Sequence, residues 1–277
     1  MKFKSIFVLF NAVVGISFLF VFAMPFFALG AEYALTFWAA NWPLALALVA
    51  VLLIINAFFI VNWRLFILLE REDWPALAHY LEGRVIGKGR WNSRLVRLLA
   101  NTYLVLSDPR AVATLEGKVA AAKPKLIDKN ALVFGVARVL SGDAAGAVSF
   151  FSARRVSKKT ESPEWVEWYY AFSLLLAHDF QAAADALLPL SATAKDAIVV
   201  ALSASFLGDS IARALPARQA ELAAAAEAAR SRVLKRFPSR DQWNKEAEKA
   251  RADIHAVVLA KSIDEAAAGL YEAEGTK

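Results

Sequence analysis

The chain has 277 residues, 58% of them apolar, with 32 basic and 26 acidic side chains and no cysteine. That length allows a sizeable core, or a repeat array with a second element, and the apolar fraction exceeds that of ordinary soluble domains. The absence of cysteine excludes disulfides, thiolate metal sites and cysteine nucleophiles.

The apolar excess sits at the N-terminus. No charged residue lies between Lys4 and Glu32, and none between Glu32 and Arg64. A bilayer core ~30 Å thick needs about 20 apolar helical residues, so both runs are long enough to span. The expected spans are residues 5–29 and 43–63, the second helix starting near Pro43 and running towards Leu69, with Gly30–Trp42 as the connecting loop. A rival reading of the first run is a cleaved signal peptide, with Lys2 and Lys4 in its n-region and Ala28-Leu29-Gly30 as a small-x-small site. The run exceeds the usual h-region of roughly 7–15 residues, which favours an uncleaved span.

Lys2 and Lys4 precede the first span, and Arg64, Arg71, Arg84, Lys88 and Arg90 follow the second, while the connection holds no Lys or Arg. The positive-inside rule then puts both termini, and everything after the hairpin, on the cytoplasmic side. Tyr33, Trp38 and Trp42 fit an outer interfacial belt and Trp63 an inner one. Asn56, inside the second span, is expected to bond the partner helix. Arg84, Lys88 and Arg90 form a basic cluster that can meet anionic lipid heads at ~1 kcal/mol each, although a solvated helix face that enforces topology explains it as well. The sequence pI of about 9.5 is attributed to the same causes, and no nucleic-acid partner is expected.

Beyond the hairpin the chain reads as helices throughout, with no sustained alternation of period two. Breaks fall at residues 83–89, Lys123-Pro124, Ser141-Gly142, residues 157–162, Gly208 and Phe237-Pro238-Ser239. Four aspartates, Asp73, Asp108, Asp143 and Asp179, recur 35, 35 and 36 residues apart. Each is followed by small or apolar residues at the next three to five positions, such as Ala111-Val112-Ala113. An N-cap aspartate accepts from an orphan backbone N–H and opposes the positive helix end, worth ~1 kcal/mol. These aspartates are therefore read as structural caps. Nine and eight residues upstream stand large-small pairs, Leu99-Ala100, Phe134-Gly135 and Tyr170-Ala171, whose small member lets two helices approach.

A helix-turn-helix unit of this period resembles the tetratricopeptide repeat (TPR) family. The resemblance covers roughly residues 64–190, and Tyr103, Phe151 and Pro124 match further columns of the repeat. The family's tryptophan is absent, and Arg138 takes a column that is usually aromatic. The arrangement also resembles bacterial membrane-anchored TPR proteins, including some from spirochaetes. The resemblance implies a concave groove lined by the first helix of each repeat. In the register above it holds Arg94, Arg97 and Asn101, then Lys129, Leu132 and Val136, then Trp165, Trp168 and Phe172. Arg97 and Asn101 fall on columns of the carboxylate-clamp subset, but Val133, Trp165 and Tyr169 replace the rest of the clamp. A groove basic near the membrane and aromatic farther away suits an acidic-hydrophobic peptide or helix. Two simpler alternatives stay open: the aromatics pack against C-terminal helices, and the arginines are merely solvated.

No catalytic constellation stands out. His79, His178 and His255 each lack a partner at metal-ligand spacing, and Gly83-x-x-x-Gly87-Lys88-Gly89 lacks the spacing and preceding strand of a phosphate loop. The sequence thus predicts an all-α protein without catalytic site, metal or cofactor. Residues 1–63 form a transmembrane hairpin, 64–190 a TPR-like α-solenoid, and 191–277 a degenerate repeat with a C-terminal capping helix. The expected role is a scaffold on the bacterial inner membrane that recruits a protein partner. The alternative is an accessory subunit of a transport, secretion or motility complex, acting mainly through its hairpin.

Overall fold

A computed structural model describes residues 3–157 and 160–271. Its regular structure is entirely helical among the described residues. The chain separates into two compact units, Met1–Tyr80 and Leu81–Lys277.

In the first unit α1 (Phe3–Leu29) and α2 (Ala31–Val61) pack side by side, followed by α3 (Trp63–Glu70) and the start of α4 (Trp74–Glu82). Both long helices are apolar and long enough to cross a membrane. Phe27 at 89% exposure and Leu19 at 71% show apolar surface of a kind that water-soluble monomers avoid. The pair is compatible with a membrane anchor. It is held by ring contacts, Phe22 on Trp38 at 4.6 Å and Phe7 on Phe59 at 5.7 Å, and by the Trp38 indole donating to the Phe22 carbonyl at 3.3 Å.

Two expectations need correction here. The stretch expected as a connecting loop is almost wholly helical: only Gly30, with φ of 86°, separates the helices, and α2 begins at Ala31. The reason lies in Ala31–Trp42 itself, which has no breaker before Pro43; that proline leaves only a kink, with Asn41 at φ −111° and ψ 21°. Asn56 bonds its own helix, donating to Leu52 O at 3.0 Å. Asn11, Ser17, Thr36, Asn41 and Asn62 do the same, each to the carbonyl four residues back. An apolar surrounding offers no other acceptor, so the local bond wins.

The second unit opens with the rest of α4 and a π-helical turn at Gly83–Gly87. Next come α5 (Ser93–Val105), α6 (Pro109–Ala122), the short α7 (Lys125–Lys129), α8 (Ala131–Leu140) and α9 (Ala144–Ser152). Then follow α10 (Pro163–Leu176), α11 (Phe180–Thr193) and α12 (Ala197–Phe206), which passes through a π turn into α13 (Ala212–Ala214). The C-terminal part is α14 (Gln219–Arg236), α15 (Arg240–Ala250), α16 (Ile254–Val257) and α17 (Ala260–Tyr271). From α5 to α12 each helix packs on its neighbours in sequence, and α5, α8, α10 and α12 also pack in succession. The C-terminal helices then return: α14 covers α11 and α12, α16 reaches α8, and α17 lies on α12. Arg232 of α14 donates to the Ser191 and Ala194 carbonyls at 2.6 and 2.8 Å, closing the end of α11. Ala197–Ala214 is also long and apolar enough to span a bilayer by composition, but most of it is buried in this core.

The recurrent aspartates are N-caps. Asp73, Asp108, Asp143 and Asp179 accept from the N–H groups of Ala76, Ala111, Gly146 and Ala182 at 2.9–3.1 Å. A second regularity accompanies them. The residue before each cap, Glu72, Ser107, Gly142 or His178, has a positive φ of 52–76°. Its N–H and that of the aspartate bond back to the preceding helix, as in Ser107 N–H to Leu104 O and Asp108 N–H to Tyr103 O, both at 2.9 Å. Each joint is thus a left-handed C-cap fused to an aspartate N-cap. Gly142 alone of the four is a glycine, so the left-handed residue costs the other joints ~1 kcal/mol each.

Small residues sit where helices close up. A methyl group on Gly135 would overlap the tip of the Phe151 ring, and Ala100 and Ala171 are fully buried. Arg138, in a column where an aromatic was expected, lays its guanidinium over the Phe150 ring at 4.2 Å, with Arg154 on the same ring at 3.7 Å. Glu116 pairs with Arg138 at 2.7 Å. A flat guanidinium stacks much as an aromatic ring does.

Candidate functional site

Arg97 and Asn101 on α5, one helical turn apart, form one wall of a cleft in the second unit. Lys129 at the end of α7, with Leu132 and Val133 of α8, forms the opposite wall. Glu161 and Ser162 close one side, and Asp253, Ile254 and His255 close another. The α7–α8 break at Asn130 (φ −113°, ψ 25°) turns Lys129 onto the rim. Asn130 is held there by its side-chain donation to Leu126 O at 2.8 Å and by the Ser93 hydroxyl.

The cleft encloses about 70 Å³, far below the ~300–1,000 Å³ of metabolite sites. It can take a side chain or a carboxylate. Its charges are mixed: Arg97 pairs with Glu161, with both side chains more than 40% exposed, and such a pair contributes at most ~1 kcal/mol. Asn101 Oδ1 is buried and has no hydrogen-bond partner among the described residues. Among those residues no three His, Asp or Glu side chains converge as a metal site.

The predicted groove residues divide. Arg97, Asn101, Lys129 and Leu132 share the cleft, whereas Arg94 lies exposed on α5 outside it. The aromatic set belongs to the core. Trp165 is 5% exposed, Trp168 is fully buried, and Phe172 stacks on Trp168 at 5.2 Å. Phe206 of α12 meets both Trp168 and Phe172, and the His255 ring meets Trp165 at 4.6 Å. Helices α12 and α16 thus cover the aromatic end of the expected groove, leaving Trp165 and Trp168 buried and Phe172 only partly exposed. In the basic cluster Lys88 and Arg90 are exposed and Arg84 is half-buried in the π turn.

Sequence reasoning did not assign Glu161, Asp253 or His255 to the site. His255 is brought in by a polar network. Tyr169 donates to its carbonyl at 2.5 Å, Trp165 Nε1 donates to Asp196 at 2.7 Å, and Glu164 accepts from the N–H of Asp196 at 2.9 Å. No local signal announces this, because Tyr169 and His255 lie 86 residues apart. His79 and His178 are exposed.

Burial pushes the His255 imidazole below its ordinary pKa of 6.5; Asp253 and Asp196 pull it back up, and Arg97 adds to the depression. A histidine kept neutral by folding leaves the unfolded chain with more bound protons at low pH. Its contribution to stability is therefore complete above about pH 6.5 and is lost as pH falls through the folded pKa. Denaturant midpoints measured from about pH 8 downward should fall through this window, and His255→Gln should flatten the fall. An unchanged profile in the variant would assign the dependence to carboxylates instead.

Residues 111–272 match the family described as Uncharacterised Treponema protein. The match takes in α10 and α12, whose Phe206 meets Trp168, and the C-terminal helices. A protein of Treponema pallidum (strain Nichols), described as "Uncharacterized protein", is 33% identical over 226 residues, which cover 79% of this chain and 72% of the relative. No solved structure matches the chain.

Proposed function

The chain belongs to the family described as Uncharacterised Treponema protein, and from that premise we propose that it is a membrane-anchored, TPR-like scaffold whose Arg97 cleft captures an acidic segment of a protein partner. The observation that carries this reading is the convergence of Arg97, Asn101, Lys129 and Leu132, from successive helical units, on one small cleft. Glu161 acts there as an internal stand-in for the partner's carboxylate. An exposed ion pair is weak, so an incoming carboxylate replaces it at little cost. Asn101, one helical turn from Arg97 on the same wall, adds a side-chain amide to the lining that the segment meets. The role is binding rather than catalysis. The lysine and arginine flanks of the hairpin favour a bacterial inner membrane with the helical body on the cytoplasmic side.

The test begins with cross-linking of the full-length protein in its own membrane and identification of the captured protein. Arg97→Glu with Lys129→Glu should reduce capture at least tenfold, since losing even one of the two charge-assisted contacts at ~1.5 kcal/mol costs that much. Lys118→Glu, on exposed surface of α6, should leave capture unchanged. Equal capture by all three proteins would reject the cleft. The exposed apolar faces of α1 and α2 favour the second reading, in which the hairpin itself packs against other membrane subunits. Exchanging the hairpin for an unrelated anchor separates the two: capture survives if the body is the scaffold and disappears if the hairpin is the binding element.

A further inference from the structure

We propose that the hairpin unit carries a phospholipid site, a cleft between the start of α1 and α3 that takes the phosphate of an anionic lipid. Lys4, Trp63, Ile67, Glu70 and Arg71 line a space of about 600 Å³, a size that accommodates a headgroup and the glycerol behind it. The Phe7 ring meets Trp63 at 5.4 Å and Phe59 at 5.7 Å, so the first turns of α1 lie beside the junction of α2 and α3. Sequence polarity changes at this level. No charge occurs between Glu32 and Arg64, and charges are frequent from Arg64 onward.

The lining fits one amphiphile in three respects. Lys4 and Arg71 are exposed cations, and among the described residues neither has an ion-pair partner. With Glu70 as the single acid, the site carries about one net positive charge, which complements a headgroup of charge −1 and not a zwitterionic one. Trp63 and Ile67 give the cleft apolar walls, and Trp favours the level where headgroups meet acyl chains. Ile6, Ile60 and Val61, next in sequence to the lining, are 49–64% exposed and need hydrocarbon cover. A free phosphate would answer the cations alone, whereas a lipid answers both. This inference rests on the hairpin lying in a membrane and is independent of the Arg97 cleft.

The test uses the full-length protein in a non-denaturing detergent, titrated with phosphatidylglycerol or phosphatidylcholine and read by native mass spectrometry. Wild type should retain phosphatidylglycerol in preference to phosphatidylcholine. Lys4→Ala with Arg71→Ala should weaken phosphatidylglycerol about thirtyfold, the loss expected when two basic residues leave an anionic lipid, and should erase the preference. Ile67→Trp keeps both charges but fills the cleft and should also lose the lipid. Arg110→Ala with Lys118→Ala, exposed on α6, the control for diffuse charge, should keep the preference. Equal retention of the two lipids by wild type would overturn the proposal. So would a preference that survives in the double variant or in Ile67→Trp, or one that the control variant also loses. Inorganic phosphate should not compete; displacement of the lipid by phosphate would reassign the cleft to a soluble anion.

Discussion

Trp168→Ala should lower the stability of the helical body by about 3–5 kcal/mol, the cost of emptying a large buried aromatic position. Trp168 is completely buried, stacks on Phe172 at 5.2 Å and meets Phe206, Tyr169 and Trp165 edge-on at 5.4–6.2 Å. These neighbours belong to α10 and α12, so the indole joins two consecutive helical pairs. Rings packed against one another cannot collapse into the space of another ring, which puts the cost near the upper end of the range. A second variant checks the mechanism. Trp168 Nε1 is buried without a hydrogen-bond partner among the described residues, and such an orphan donor costs about 1–3 kcal/mol. Trp168→Phe removes that donor along with part of the ring, so its penalty should be well under half that of alanine. Denaturant unfolding of both variants is the measurement. An alanine variant as stable as wild type would return Trp168 to the surface and reopen the aromatic groove.

Gly135→Ala should destabilise the same body by about 2 kcal/mol, although alanine is the better helix former by ~1 kcal/mol. The added methyl would overlap three atoms of the Phe151 ring. Phe151 cannot withdraw: it is fully buried, stacked on Tyr169 at 5.7 Å and edge-on to Phe150. Overpacking of a closed core typically costs about 1–3 kcal/mol, more than propensity returns. Gly135→Ala combined with Phe151→Leu should recover part of the loss, a coupling between neighbours that a double-mutant cycle measures. If the single variant were stabilised, helix propensity would rule at this position and the close approach of α8 to α9 would not matter.

The joints between helices were legible because their chemistry is local. The aspartate and its acceptor geometry lie within four residues, and the spacing repeats. The left-handed residue before each cap was legible only at Gly142, since Glu72, Ser107 and His178 do not announce a positive φ. Gly135 was readable as a point of close approach, but its partner Phe151 sits on the next helix. The aromatic end of the candidate site defeated sequence reasoning for a different reason. Periodicity gives the face of α10 that carries Trp165, Trp168 and Phe172, but not what covers it. The cover includes Phe206 and His255, dozens of residues downstream, and one of its ties is the single Tyr169–His255 hydrogen bond. Arg97, Asn101 and Lys129 were legible as neighbours because their register follows the repeat, whereas Glu161 and Asp253 reach the cleft from irregular segments. The helical course of Ala31–Trp42 was missed because Pro43 and the polar Asn41 suggest an end where the chain makes only a kink.

The fused joints also carry a message about what evolution can edit. With one left-handed residue and one cap between helices, no slack is left to absorb a change in length. A single inserted residue would advance the following helix by about 100° and turn its small, close-packing side away from its neighbour. Length variation among relatives should therefore avoid these joints and collect in longer connections, such as the stretch from Gly83 to Asn92, where several residues separate α5 from the helical turn before it. The joints at 72–73, 107–108, 142–143 and 178–179 should hold their spacing even where their residues drift.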